Sequence, residues 1–225
     1  MRLSKRKFNE LLQKNKLVLS LTGMSNTGKT YWSKKLAKFD FKHFNCDDLI
    51  EIKLASKLKK LGYSGINDVS RWMGQPYDKR YKKNQQKYLN SEKTVMKDVF
   101  SEIKNKKQSN NIVIDTTGSV VHCGGNIYRE LKKQTIVVYL ETTDIMRKEM
   151  FNRYIKDPKP VIFGRTFIVR KGETDKQALK KCYVKLLNYR HGLYSKYADV
   201  IIPCSSIAHN LDTKKFINLI KKELA

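Results

Sequence analysis

The octapeptide GMSNTGKT at residues 23–30 constrains this chain more than any other feature. It fits GxxxxGK[ST] without a mismatch, with an unbroken apolar run, LVLSL at residues 17–21, before it and a helical pattern at residues 31–38 after it. In that context consecutive backbone N–H groups curl around phosphates while the helix points its positive end at them. Gly23, Ser25, Asn26, Thr27, Gly28, Lys29, Thr30 and Tyr31 are therefore expected against a nucleoside triphosphate, with ATP and Mg²⁺ as the cofactors. Lys29 is placed to reach the β and γ oxygens and the Thr30 hydroxyl to ligate Mg²⁺. A chance turn is the competing account, and the flanking strand and helix weigh against it.

Further short apolar runs follow at residues 112–114 in NIVID, 135–140 in TIVVYL and 199–202 in DVIIP, with a weaker candidate at residues 41–44. They do not alternate, as strands buried on both faces should not. Helical spacing lies between them at residues 49–61, 81–103, 126–131, 143–154, 175–197 and 209–224. Alternating strands and helices predict an α/β, three-layer fold, a parallel sheet with helices on both faces and ligands at the carboxyl ends of the strands. The chain has 225 residues, enough for one core, so residues 1–225 read as a single domain. Residues 1–16 form a basic extension carrying a short surface helix. Residues 157–174 show neither periodicity and read as a mobile lid.

Composition narrows the partners. Lys and Arg number 47 against 21 Asp and Glu, a formal charge of +26 that attracts polyanions. Only ten of those cations are Arg, and Lys recurs on every presumed outer helix face. Nucleic acid is thus a possible partner and not the favoured one; ATP and a small hydroxylated substrate are expected, with the chain acting as a monomer. Cys46, Cys123, Cys182 and Cys204 are far apart and form no CxxC pair, which points to reduced thiols in the cytoplasm. No apolar run approaches the roughly 20 residues that span a bilayer. The basic start could suit an organelle-targeting segment, against which Glu10 and the shortage of Arg and Ser argue.

Acidic residues after the strands carry the remaining chemistry. Asp47 and Asp48 follow residues 41–44, so one carboxylate can accept a proton from an attacking hydroxyl while the other caps the next helix. Asp115 ends the run 112–114, where an acid organises Mg²⁺, and Thr116, Thr117 and Gly118 offer hydroxyls and a permissive backbone to a polar substrate. Lys159, Arg165, Arg170 and Lys171 would make the lid a cationic flap that neutralises transferring charge, with Arg165 the first choice. His43, His122, His191 and His209 share no metal-ligand spacing and read as surface or core, and Trp32 and Trp72 as packing.

From about residue 18 to residue 203 the chain resembles the shikimate kinase family. GMSNTGKTYWSKKLA looks like its opening loop and helix, and FNCDDLIE its acidic segment, with Asp47 where the family contacts the substrate hydroxyl. IDTTGSVV sits at its triple-glycine substrate loop, KPVI from Lys159 at the lid's Arg-Pro pair, and RHGLY followed by ADVII at its last helix and fifth strand. The resemblance implies sheet order 2-3-1-4-5 and Arg190 as a substrate-anion or closing contact. Three positions depart from the pattern: Asn45 stands at the first, Mg²⁺-associated Asp, Leu89 in YLNSE at the substrate-carboxylate arginine, and Thr117, Gly118 and Ser119 at the triple glycine. Residues 62–90 are longer than the family's equivalent, so Arg71, Tyr77 and Arg80 are candidates to remake the pocket. The expected activity is γ-phosphoryl transfer from ATP to a hydroxyl of a small molecule, not necessarily shikimate, with Lys29, Asp47 and Arg165 catalytic. The rivals are a nucleic-acid or nucleotide kinase and a non-catalytic ATP-binding pseudokinase.

Overall fold

The computed structural model describes residues 3–105, 109–207 and 211–224. Five strands, β1 (Val18–Thr22), β2 (Phe41–Asn45), β3 (Asn111–Asp115), β4 (Ile136–Glu141) and β5 (Val200–Pro203), form an all-parallel sheet of order β2-β3-β1-β4-β5. The central strands β1 and β3 are buried along their whole length, as unalternating apolar runs require. At the edges, β5 alternates buried with exposed residues and β2 buries only Phe41 and Phe44, which is why residues 41–44 gave the weaker signal.

Helices cover both faces. On one side α1 (Lys5–Gln13), α2 (Lys29–Ala37) and α9 (Thr213–Lys222) pack Phe8, Trp32, Leu36 and Phe216 against Leu19, Leu21, Val113, Val138 and Leu140. Trp32 stacks on Phe216 with centroids 4.0 Å apart, a packing role as expected. The other side is thicker: α3 (Cys46–Lys59), α4 (Gly65–Met73), α5 (Tyr81–Lys104), α6 (Gly125–Gln134), α7 (Asp144–Lys156) and α8 (Asp175–Tyr197) cover Ile112, Ile114, Val137 and Tyr139. Successive strand residues thus feed opposite cores, the period-2 rule acting on both faces. Among the described residues no helix is long and apolar enough to cross a membrane. His209 lies outside the described residues.

Two expectations change. The α3 helix begins at Cys46, not residue 49, and its cap is Asn45, whose Oδ1 accepts from the backbone N–H of Asp47 (3.1 Å) and Asp48 (3.4 Å). Neither aspartate caps, because the cap carboxyl or amide has to sit two to three residues ahead of the N–H groups it binds. The second change is in residues 157–174. Val161, Ile162 and Phe163 are buried in the core, pinned by Tyr81, whose hydroxyl donates to Val161 O at 2.8 Å and accepts from Phe163 N at 2.9 Å.

Asn111 is 4% exposed and ties α1 to the sheet, accepting from Leu17 N (2.8 Å) and donating to Leu12 O (3.1 Å). Asn111→Ala strands both backbone groups, and equilibrium urea unfolding is expected to register a loss of about 1–3 kcal/mol with an unchanged m-value.

Candidate active site

The phosphate loop leaves β1 at Gly23, where an added Cβ would lie 2.8 Å from Leu140 O, too close for any side chain. It turns through Asn26 (φ 61°) and Gly28 (φ 89°), left-handed conformations that favour these two residue types, and enters α2 at Lys29. Thr27 Oγ1 braces the turn by donating to Met24 O at 2.9 Å. Lys29 Nζ donates to the same carbonyl at 2.8 Å and is buried. Burial lowers the Lys29 pKa, while Asp115 and Asp47 act in the opposite direction. The Tyr31 ring is exposed, edge-on to Trp32 and under Lys35.

Register places the acids. Leu21 of β1 pairs with Asp115, and Asp115 with Asn45, so the carboxyl ends of three strands are level. Asp47, in the first turn of α3, is raised to about 6 by burial, with Lys29 opposing and Asp115 adding to the rise. Burial also raises Asp115, against the pull of Lys29 and of the nearby Thr30 hydroxyl. Asp115 Oδ2 is buried without a hydrogen-bond partner among the described residues. That orphaned oxygen beside the Thr30 hydroxyl fits a hard cation. No group of three or more His, Cys, Asp or Glu among the described residues is arranged to hold a metal, so an ion here would complete its shell with phosphate oxygens and water.

Gly118 lies against the phosphate loop: an added Cβ would meet Ser25 Oγ at 3.4 Å and Arg190 Nη1 at 3.6 Å. Arg190 is 4% exposed; its Nε donates to His122 Nε2 (3.2 Å) and its Nη2 to Ile162 O (3.0 Å), leaving Nη1 turned toward Gly118 and Ser25. Burial and the neighbouring guanidinium lower His122 to about 3, so the neutral ring accepts through Nε2 and carries its proton on Nδ1.

The structure thus gathers Gly23–Thr30, Asp47, Asp115, Gly118 and Arg190 at one edge of the sheet. Arg71 and Lys159 bond to other groups, and Arg165 faces solvent. Arg71 is exposed, bonded to Asp68 at 2.7 Å and lying over the Tyr63 ring. Lys159 bonds Asn67 (2.6 Å) and Asp157 (3.0 Å). Arg165 is exposed and lines a shallow cavity of about 180 Å³ with Arg170, Lys181, Cys182 and Lys185, none of them on the phosphate loop. Phe163, two residues earlier, is buried, and Arg165 lies in that cavity beside Lys181, Cys182 and Lys185 of α8.

Three residues escaped the sequence reading. Tyr88 donates to Asp47 Oδ1 at 3.4 Å, Glu92 accepts from Thr117 and Ser119, and His122 orients Arg190. Glu92 did leave a signal, interrupting the helical stripe of Tyr88, Val95, Met96 and Val99 that faces the core. Burial raises it to about 7, with the Thr117 and Ser119 hydrogen bonds opposing.

Both carboxyls have folded values above their ordinary 3.8 and 4.5, so protonation favours the native chain. The stability they contribute is present below those ordinary values and is lost as pH rises through about 6 for Asp47 and about 7 for Glu92. In thermal scans from about pH 5 to about pH 8, Asp47→Asn combined with Glu92→Gln is expected to flatten the wild-type decline in Tm by several degrees.

No protein-family model matches the chain, and neither does any curated protein sequence. Solved structures do. A shikimate kinase from Acinetobacter baumannii, in complex with shikimate, superposes with a TM-score of 0.54 over 94% of this chain and 93% of that one at 16% identity. A shikimate kinase from Bacteroides thetaiotaomicron gives 0.55 over 92% and 97% at 14% identity. Likeness at such identities concerns the backbone: this chain has the five-stranded P-loop kinase fold that the shikimate kinases share.

Proposed function

We propose that the protein is an ATP-dependent phosphotransferase that moves the γ-phosphoryl group to a hydroxyl of a small molecule. The observation that carries this reading is the half-buried Asp47 carboxylate, electrostatically coupled to Lys29 and Asp115, which would serve as a base at the phosphate loop. The backbone of residues 23–30 and the positive end of α2 hold the phosphates. Lys29 exchanges Met24 O for phosphate oxygens, and Arg190 Nη1 faces the same space. Thr30 and Asp115 would hold Mg²⁺, which when bound neutralises phosphate charge. Asp47 orients the acceptor hydroxyl and takes its proton as the new O–P bond forms and the bond to ADP breaks. Ionised Asp47 is needed for that step, so its raised value places the acid limb of turnover near pH 6.

Shikimate is not the favoured acceptor. Leu89 stands where the family pattern carries an arginine, and Arg71 and Lys159 are spent on Asp68, Asp157 and Asn67. Of these cations Arg190 alone keeps a nitrogen toward the site, on its phosphate side. A neutral hydroxylated acceptor suits such a pocket better than a carboxylate-bearing one.

The test is ATP turnover against shikimate, polyols, hydroxy acids, nucleosides and 5′-hydroxyl oligonucleotides. Turnover on a neutral small acceptor is expected, with Lys29→Ala abolishing it and Asp47→Asn lowering it by about 10²–10⁴ while ATP affinity holds. ATP binding without turnover on any acceptor would sink the proposal in favour of a pseudokinase. Turnover confined to a polynucleotide end, with steep salt dependence, would replace it with the nucleic-acid reading.

A further inference from the structure

Glu92 is 0% exposed in the middle of α5, and among the described residues no cation pairs with it. Its two oxygens accept from hydroxyls of the loop after β3, Oε1 from Thr117 and Oε2 from Ser119 at 2.8 Å. The other polar groups facing it are Cys46 and Asp47 of α3, Tyr88 of its own helix, Cys123, Tyr128 of α6 and Tyr194 of α8, none of them positive. A buried carboxylate without a cation is costly, and an apolar side chain would continue the stripe of α5 at less expense. What Glu92 holds is therefore more telling than what it contributes to packing.

It holds a loop that is cross-braced at every residue. Ser119 N donates to Thr117 Oγ1 at 3.0 Å, and the carbonyl of Gly118 between them accepts from Tyr194 Oη at 2.7 Å. The Tyr88 hydroxyl donates to Asp47 and lies near Ser119, between the loop and the proposed base. On its far side Gly118 meets Ser25 of the phosphate loop and Arg190. The tether thus spans from α5 to the space between Asp47 and the phosphates.

We propose that Glu92 is a positioning residue for the acceptor: by gripping the Thr117 and Ser119 hydroxyls it fixes Gly118 against Ser25 and Arg190 and so sets the wall on which the acceptor seats. The kinetic consequence rests on the phosphotransfer reading above; the structural consequence does not.

The experiment compares wild type with Glu92→Gln, which can still bond both hydroxyls, and Glu92→Met, which can bond neither. Tm at about pH 8, amide hydrogen exchange of residues 116–120 and 23–30, affinity for MgATP, and KM and kcat for the acceptor found in the panel are measured on each. Both variants are expected to fold, with the Tm of Glu92→Gln at or above wild type because a charge is removed from the core. In Glu92→Met, amides 116–120 should exchange roughly tenfold faster and the acceptor KM rise roughly tenfold or more, with MgATP affinity and the exchange of residues 23–30 unchanged. Glu92→Gln should recover most of that loss. Unchanged exchange at 116–120 in Glu92→Met, or a fall in Tm in both variants with nucleotide and acceptor affinity lost together, would overturn the proposal. Should wild type turn over no acceptor, the exchange and Tm results still decide the tether, so failure of the phosphotransfer reading is separable from failure of this one.

Discussion

The parallel register of β1 between β3 and β4, with Leu21 opposite both Asp115 and Val138, determines where every group of the candidate site can stand. It brings Thr22 level with Tyr139, so the chain leaving β1 has to pass Leu140 O within a distance that only glycine permits. It brings Asp115 level with Asn45, so the first turn of α3 opens beside the phosphate loop. A one-residue slip would exchange the two cores, sending Val113 and Leu19 to the face that now holds Ile112 and Ile114. Packing on both faces of the sheet therefore enforces the alignment that the chemistry uses.

On the proposed reading, capping by Asn45 and catalysis by Asp47 divide one short segment. The run FNCDD offers three residues able to cap a helix, and the sequence alone does not choose among them. Once Asn45 ends β2 opposite Asp115, its side chain is the one in reach of the Asp47 and Asp48 N–H groups. Asn45 Nδ2 then donates to Asp48 at 2.6 Å, which leaves Asp47 free to lie near Lys29. A neutral cap also spares Asp47 a further like charge in its own helical turn.

The elements that the sequence made legible are those fixed by local rules: unalternating strands, the glycine loop, and the long periodic helices α5 and α8. Less legible were groups whose role depends on distant partners. Glu92 lies among Lys, Asn and Gln on a helix whose polar residues mostly face solvent, and only its place on the apolar stripe marks it as buried. His122 gains a role because Arg190, 68 positions later, folds back against it. Exposed cations such as Arg71 and Arg165 are the converse case: in a chain with 47 basic residues, type and approximate position do not say which nearby carboxylate or carbonyl each will find. The lid repeats the lesson, since residues 157–174 lack periodicity yet bury Val161–Phe163 under Tyr81 and Arg190. Gly164, with a φ of 57°, follows the buried Val161–Phe163 run, and the residues after it are mostly exposed.

Charge balance links nucleotide, cation and base on the proposed reading. Lys29 is coupled to the buried Asp115 and the half-buried Asp47; burial shifts all three toward their neutral forms, and the attraction between lysine and carboxylates opposes it. A triphosphate arriving alone would add negative charge beside Asp47 and Asp115, raise both further and favour a protonated Asp47 unable to take a proton. A divalent cation at Asp115 Oδ2 and Thr30 works against that rise, since it satisfies the orphaned oxygen and offsets the phosphate charge in the same few ångströms. A cation held there would therefore both offset the phosphate charge and keep Asp47 ionised, able to take a proton. Nucleotide affinity and the ionisation of the acceptor's base are, on this arrangement, two readings of one local electrostatic balance, with Lys29 at its centre.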